Sequence, residues 1–178
     1  MDEMKSSMEK YLYDEDKKRF LRMIQFSETG EIDKDDTIDA SLFAIFEFKV
    51  FEIDNPMVKN TMNQIYEHLW IKTDVGGIAR YQNDSYHQVS QDLDNVPGNP
   101  WFICTLWLSE YYSHLSRKMK DEQKNLLKKS LSLLNWTTDH ALETGILAEQ
   151  VHPYSNEPLS VSPLTWSHAT YVLAMIEY

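Results

Sequence analysis

Residues 98–115 read GNPWFICTLWLSEYYSHL, and the interpretation of the whole chain starts from this stretch. An asparagine followed by a proline is typical of a helix start. The asparagine oxygen can accept a hydrogen bond from a free backbone N–H, and proline needs no N–H at the first helical position. Apolar residues then recur at helical spacing as far as Leu115. The stretch therefore predicts an α-helix that begins at Pro100.

The same kind of helix start recurs along the chain. Asn55-Pro56 and Ser162-Pro163 are each followed by apolar residues at helical spacing. Asp39 and Asp121 are predicted to cap two further helices, the second of which ends at Gly145. The chain is therefore predicted to be all-α, with about five helices arranged in antiparallel pairs.

Two long polar loops, 73–98 and 146–161, separate the predicted helices. Residues 17–26 are ambiguous between a strand and an extended loop, and the sequence predicts no other strand. Loops of this length inside a compact helical domain usually carry function. The candidate chemistry is therefore sought in and beside these loops.

The composition limits the classes of function. A chain of 178 residues is long enough for one domain, which we take to span 1–178. The net charge of −11 would repel phosphate and argues against a nucleic-acid partner. An acidic surface is compatible with a neutral ligand such as a carbohydrate, and equally with a role in solubility alone. No apolar run approaches the roughly 18–20 residues that span a membrane, so no membrane partner is expected.

Cysteine and histidine usage argues against a metal site. Cys104 is the single cysteine, so it forms neither an internal disulfide nor a cysteine-based metal site, and it is predicted to be a small buried apolar residue. The six histidines are scattered without a paired spacing, and no metal or other cofactor is expected. The charged N-terminal residues contain no signal-peptide pattern, which together with the single cysteine favours a cytoplasmic location.

Three short motifs beside the loops could carry chemistry. Arg80 and Asp84 lie four residues apart, so the carboxylate could orient the guanidinium toward sugar hydroxyls, or the two could form an ordinary surface ion pair. Trp101 could stack on a sugar ring or pack in the core. Glu149 could act as a general base on water or be an ordinary loop glutamate. The spacing alone does not choose between these alternatives.

In chain order, the motifs are GGIARYQNDSYH at 76–87, GNPWFICTLWLSEYY at 98–112 and GILAEQVHPYSNEPLSVSPLTWSHATYV at 145–172. Together they resemble the C-terminal half of glycoside hydrolase family 15, a family of glucoamylases, glucodextranases and a group of trehalases. The resemblance covers about residues 10–178. It implies an (α/α)₆ barrel with six inner and six outer helices and a site at one end. The predicted helices amount to about half of such a barrel.

The resemblance also implies a reaction, the inverting cleavage of an α-linked glucose oligosaccharide or disaccharide. Glu149 matches the family's general base, which activates the attacking water, and Ser160 matches the hydroxyl that helps hold this water. The positions that match the pocket for the terminal glucose are Arg80, Tyr81, Asp84, Trp101 and Gln150.

The sequence departs from the family pattern in two places. Asn83 stands where the fungal members have an acidic residue. No residue before Glu149 matches the family's general acid, and the loss of such a group typically costs a factor of about 10²–10⁴ in rate. The isolated chain is therefore predicted to be inactive, with the missing half of the barrel or a second copy as its protein partner. The particular α-glucoside is left open.

Two other interpretations are compatible with the sequence. The chain could be a non-catalytic truncated fragment that exposes apolar surface where further helices would pack. It could also be an unrelated α-helical scaffold that binds protein, although the sequence lacks the fixed-period repeat that helical arrays contain.

Overall fold

A computed structural model describes residues 2–178, and the fold is mainly helical. These residues contain six α-helices, which are α1 Asp2–Tyr11, α2 Ala44–Glu47, α3 Pro56–Leu69, α4 Phe102–Lys118, α5 Gln123–Asp139 and α6 Thr165–Glu177. Two 3₁₀ helices are Ala40–Phe43 and Lys120–Glu122. The short strands are β1 Tyr13–Asp14, β2 Arg19–Phe20, β3 Met23–Phe26, β4 Ile32–Asp35, β5 Ile78–Ala79, β6 Pro100–Trp101, β7 Gln150–Val151 and β8 Pro158–Leu159.

Helix α4 lies at the centre of the packing. Fourteen of its 17 residues are buried, so neighbouring segments cover this helix on nearly all sides. Helix α5 returns along α4 after a short connection, and the Ser130 hydroxyl lies 2.8 Å from that of Ser109 and 2.7 Å from that of Ser113. Because serine is small, this contact lets the two helix backbones approach closely. Helix α6 packs against another side of α4.

The larger core lies between α4, α3 and the helical segment 40–47 that precedes α3. Its side chains include Ile45, Ile65 and Leu108, one from each of these elements. Cys104 belongs to the same core and is 2% exposed, which agrees with its predicted role as a small apolar residue. Burial raises the pKa of the Cys104 thiol well above its usual value, so the thiol stays protonated.

Two of the predicted helix caps are correct. The Asn55 side chain accepts a hydrogen bond from the Met57 amide at 2.8 Å, and Pro56 is the first residue of α3. The Asp39 side chain accepts from the Ser41 amide at 2.8 Å at the start of the 3₁₀ helix Ala40–Phe43. In both places the cap satisfies an amide that has no partner within its own helix.

The predicted start of α4 at Pro100 is wrong. Pro100 and Trp101 form strand β6, and α4 begins at Phe102. The Asn99 side chain caps no helix. Its Nδ2 donates to the His87 carbonyl at 2.7 Å and to the Gln150 side chain at 2.8 Å. Strand pairing and these long-range hydrogen bonds therefore replace the local cap.

The predicted boundaries of the last two helices also need correction. Helix α6 begins at Thr165, not at Pro163, and Ser162 does not cap it. Helix α5 begins at Gln123 without a side-chain cap, so Asp121 does not have the predicted role. The same helix ends at Asp139, several residues before Gly145. Residues 140–145 form a turn and a loop instead of a last helical turn.

The prediction that strands are absent outside 17–26 is wrong. Strands β2 and β3 lie within that segment, but β3 pairs with the unpredicted β4, and β5 to β8 form a four-stranded antiparallel sheet. These four strands are two residues long, which is too short to produce the alternating pattern that identifies a strand in a sequence. Helix α1 was not predicted either, and its residues are mostly exposed and polar.

Across residues 2–178, every helix is too short or too polar to cross a lipid bilayer.

Candidate active site

The four-stranded sheet brings distant parts of the chain to one place. Arg80 directly follows β5, Trp101 ends β6, Glu149 directly precedes β7 and Ser160 directly follows β8. The strands pair in the order β5-β6-β7-β8, with Trp101 opposite Gln150 and Gln150 opposite Leu159. The antiparallel register therefore places Glu149 between α4 and Ser160, although these residues lie far apart in the sequence.

The side chains of Glu149 and Gln150 have different surroundings, although they touch at their ends. Neighbouring residues of an extended segment point to opposite sides. Glu149 is partly exposed and lines a cavity, whereas Gln150 is completely buried. The Gln150 side chain accepts from Asn99 at 2.8 Å, and its Nε2 lies 3.5 Å from the Glu149 carboxylate. Gln150 thus lies behind Glu149 and outside the cavity wall, and its predicted contact with sugar stays a prediction.

The Ser160 hydroxyl holds the Glu149 carboxylate, and the Tyr86 hydroxyl lies next to that of Ser160. The Ser160 hydroxyl donates to Glu149 Oε2, and the Tyr86 hydroxyl lies 3.3 Å from the Ser160 hydroxyl. Ser160 has a φ of 61°, a left-handed conformation that is uncommon outside glycine and costs about 1–3 kcal/mol. The fold thus holds Ser160 in an unfavourable backbone conformation that points its hydroxyl at Glu149.

Arg80 and Asp84 form a two-pronged ion pair, a contact that both alternatives of the sequence analysis contain. Arg80 Nε and Nη2 donate to the two Asp84 carboxylate oxygens at 2.9 and 2.8 Å. Burial alone would lower the pKa of Arg80, but the hydrogen bonds and charge of Asp84 outweigh it and raise this pKa above its usual value. Asp84 is 1% exposed, so it orients the guanidinium from behind.

Three aromatic rings surround the Arg80 guanidinium. Its central carbon lies 4.6 Å from the ring centre of Trp101, 4.8 Å from that of Tyr81 and 5.2 Å from that of Tyr86. These distances are within the range of cation–π interactions. Within the described residues 2–178, the hydrogen bonds of Arg80 involve Nε and Nη2. Nη1 thus has no hydrogen-bond partner among the described residues.

A cavity of about 370 Å³ joins these groups. Of the predicted site residues, Arg80, Tyr81, Trp101 and Glu149 line it directly. The structure therefore brings the arginine, the tryptophan and the carboxylate together. The remaining lining residues, which the sequence analysis did not assign to the site, are Asp39, Ser41, Ile103, Cys104, Trp107 and Trp166.

The two additional tryptophans come from neighbouring helices. Trp107 of α4 stacks on Phe43 with ring centres 4.0 Å apart and lies 5.9 Å from the ring of Trp166 in the first turn of α6. Trp166 follows a long polar loop at the start of a helix, and this position was a signal that could have identified it. Trp107 lies within the apolar run of α4, where the sequence does not distinguish it from the core.

Comparison with known proteins identifies the family. The sequence model of the family described as glycosyl hydrolases family 15 matches residues 2–176 of this chain. An uncharacterized glycosyl hydrolase of Methanocaldococcus jannaschii is 34% identical over 98% of this chain and 26% of its own length. Trehalase 1 of Sulfolobus acidocaldarius is 22% identical over 79% of this chain and 22% of its own length.

The fold agrees with this identification. A bacterial glucoamylase crystallised with acarbose superposes on 98% of this chain with a TM-score of 0.75 at 20% identity, and the chain covers 27% of it. The helices thus form part of an (α/α)₆ barrel, as the resemblance implied. The chain spans about a quarter of the length of each of these three proteins. This chain belongs to glycosyl hydrolase family 15.

Proposed function

We propose that this chain supplies the general base and the terminal-sugar pocket for the inverting hydrolysis of an α-glucoside. The observation that carries the proposal is the shared cavity of Glu149 and Arg80. A partly exposed carboxylate held by a hydroxyl can take a proton from water, and a guanidinium held by a buried carboxylate can bind sugar hydroxyls.

In this reaction Glu149 accepts a proton from a water molecule, and the water oxygen attacks the anomeric carbon. The bond to the leaving oxygen breaks on the opposite face of the sugar, so the configuration inverts. Ser160 donates to Glu149 Oε2, which orients the carboxylate and leaves Oε1 for the water. The second carboxyl group of an inverting enzyme stands about 6.5–9.5 Å away, so that the water fits between the base and the sugar.

The terminal glucose is bound by Arg80 and the rings around it. Asp84 and the three surrounding aromatic rings hold the Arg80 guanidinium in one orientation. Little side-chain entropy is therefore lost when its Nη1 donors bind hydroxyls. Trp166 is 54% exposed and borders the same cavity, where its ring offers an apolar surface to a sugar face. The pocket thus combines fixed donors with flat apolar walls.

The general acid has to come from outside residues 2–178. Asp39 is the other carboxylate that lines the cavity in the described chain. One Asp39 oxygen accepts from the Ser41 amide at 2.8 Å, and the other pairs with Arg22 Nη1 at 3.2 Å. Both Asp39 oxygens are thus engaged by donors of this chain and are not positioned to serve a leaving oxygen. We therefore expect the isolated chain to release no glucose from maltose, maltotriose or trehalose.

The substrate is an α-linked glucose oligosaccharide or disaccharide. One relative is a trehalase, and one structural neighbour is a glucoamylase in complex with acarbose. These two relatives suggest different leaving groups next to the same terminal glucose. Glucose release from maltotriose and from trehalose therefore discriminates between a glucoamylase-like and a trehalase-like member. It is measured on this chain together with the polypeptide that supplies the general acid.

The sugar pocket can be tested on the isolated chain because tryptophan reports on it. Three of the five tryptophans, Trp101, Trp107 and Trp166, line the cavity, whereas Trp70 and Trp136 lie outside it. In a nitrogen-15 NMR titration with glucose, the indole N–H signals of the first three are expected to shift. Those of the other two are expected to stay in place.

The matched variants are Arg80→Gln and Arg117→Gln. Arg80→Gln removes the guanidinium from the cavity and is expected to weaken glucose binding at least about tenfold. Arg117 forms an exposed ion pair with Glu177 on α6 and serves as the control. Equal binding by both variants, or shifts confined to the outer tryptophans, would contradict the proposed pocket.

A further inference from the structure

The backbone that leads to Glu149 is fastened to the start of α6. Leu147 and Ala148 are 3% and 2% exposed, so their backbone polar groups need partners inside the protein. The Leu147 carbonyl accepts from the Leu164 amide at 3.0 Å. The Ala148 carbonyl accepts from the Ser167 hydroxyl at 2.7 Å. Because both donors lie at the N-terminal end of α6, the position of Glu149 depends on this end of the helix.

A third contact between the two segments depends on a histidine. The Leu147 amide donates to Nε2 of His168 at 3.0 Å. Because a backbone N–H can only donate, Nε2 must offer a lone pair, and the proton of the neutral ring is then on Nδ1. A protonated imidazole carries a hydrogen on both nitrogens and cannot accept from the amide. The contact therefore exists only while the ring is neutral.

His168 is half-buried and also lines a cleft of about 540 Å³ that is separate from the candidate active-site cavity. The cleft and the cavity have no lining residue in common. Among the described residues that line the cleft, Glu143 is the charged one and Tyr171 is also ionisable. Helix α5 contributes the neutral side chains of Thr137 and Thr138, and α4 contributes none. The imidazole can therefore exchange its proton with solvent without involving the sugar-binding cavity.

We propose that His168 is a positioning residue for Glu149 that acts only while its imidazole is neutral, and this inference rests on the proposed function. Protonation of the ring leaves the buried Leu147 amide without an acceptor, which favours a shifted position of the segment. The Glu149 carboxylate contacts the Ser160 hydroxyl, and a shift of the segment changes this contact. The Ser167 contact involves no ionisable group, so it keeps the segment near α6 at any pH.

Two substitutions separate the hydrogen bond from the bulk of the ring. In His168→Gln, the side-chain oxygen lies as many bonds from Cα as Nε2 does, and it accepts without titrating. His168→Phe keeps a planar ring and removes the acceptor. His68→Gln, at an exposed position near the end of α3, is the control.

Hydrogen exchange of the isolated chain, followed by NMR, measures the Leu147 contact. At about pH 8, His168→Phe is expected to lower the protection factor of this amide at least about tenfold, whereas His168→Gln should stay within about threefold of the parent. Histidine ordinarily gains its charge between about pH 8 and pH 5. Across this range the protection should fall in the parent and in His68→Gln, and it should stay constant in His168→Gln. Each protection factor is taken relative to the unfolded chain at the same pH.

The consequence for the base is measured at Glu149 itself. Its carboxyl carbon-13 signal, assigned with Glu149→Gln, is expected to move in His168→Phe and to coincide with the parent signal in His168→Gln. Turnover is measured on this chain together with the polypeptide that supplies the general acid. There kcat should fall at least about tenfold in His168→Phe with KM within about twofold, because Arg80 still binds the sugar. His168→Gln should keep its kcat to a lower pH than the parent.

The results separate this inference from the proposed function. Protection of the Leu147 amide that falls with pH alike in the parent and in His168→Gln overturns the inference. A Glu149 carboxyl signal that His168→Phe leaves in place also overturns it. If His168→Phe does not fold, the comparison of the parent with His168→Gln still decides. Absence of glucose release from every variant overturns the proposed function, whereas the amide and carboxyl measurements need neither sugar nor turnover.

Discussion

Replacing Glu110 by glutamine is expected to change how the stability of the protein depends on pH. Glu110 lies in the middle of α4 and is 2% exposed, and its Oε1 atom is buried without a hydrogen-bond partner within residues 2–178. Burial, followed by the nearby charges of Glu47 and Glu177, raises the pKa of Glu110 from 4.5 to about 8. The folded protein therefore keeps a proton at neutral pH that the unfolded chain releases.

The size of the effect follows from this pKa change. Each pKa unit corresponds to 1.36 kcal/mol, so a rise from 4.5 to about 8 corresponds to about 5 kcal/mol. The stability that Glu110 contributes is fully present below pH 4.5, where both states carry the proton. It is lost as the pH rises through about 8, the pKa of the folded state. The Glu110 contribution to the free energy of unfolding thus falls across this window, by about 3 kcal/mol at pH 7 and about 5 kcal/mol above pH 8.

Urea denaturation at several pH values between 4 and 9, followed by circular dichroism, measures this directly. Glu110→Gln has no ionisable group at this position, so its free energy of unfolding should exceed that of the parent increasingly as the pH rises. Glu143→Gln, an exposed loop substitution, is the control and should follow the parent. Parallel pH profiles of Glu110→Gln and the parent would refute the reasoning, because Glu110 would then have the same pKa in the folded and unfolded protein.

Three further substitutions test the fold and the site. Asn55→Ala removes the α3 cap and is expected to lower the free energy of unfolding by about 1 kcal/mol in urea denaturation, and no loss would contradict the cap. Gly77→Ala is expected to cost about 3 kcal/mol in the same assay, since Gly77 has a φ of +89° and an added Cβ would lie 2.5 Å from the Trp136 ring; a loss below about 1 kcal/mol would contradict this packing. Asp84→Asn weakens the support of the Arg80 guanidinium and is expected to weaken glucose binding about tenfold in the NMR titration, whereas Asp94→Asn, in an exposed loop, should leave it unchanged.

The helices that lie in continuous apolar patterns were predictable because their signals are local. Asn55 and Asp39 cap their helices through hydrogen bonds to amides two residues away. The apolar run 102–115 likewise predicted α4, although the start was placed two residues too early, at Pro100. Asn99 resembles Asn55 in sequence, yet its side chain contacts His87 and Gln150, and no local rule distinguishes the two asparagines.

The identities of the candidate site residues came from their motifs, whereas their arrangement depends on the tertiary structure. Arg80 and Asp84 lie four apart, so their ion pair was foreseeable from the chain alone. The meeting of Arg80, Trp101 and Glu149 depends on two strand pairings, β5 with β6 and β6 with β7, between two-residue strands that leave no periodic signal in the sequence.

The amino-acid sequence was therefore sufficient for the family, the helical class and the acidic, cysteine-poor character of the chain, because each of these depends on residue types and short spacings. The assembled packing settled which side of each segment faces the cavity. It buried Gln150 and left Glu149 accessible, and it added Trp107 and Trp166 to the site. It also left large apolar side chains of α6, such as Val172 and Ile176, exposed. These features arise from contacts between residues that are distant in the chain, and the energies of such contacts are defined only once the segments have come together.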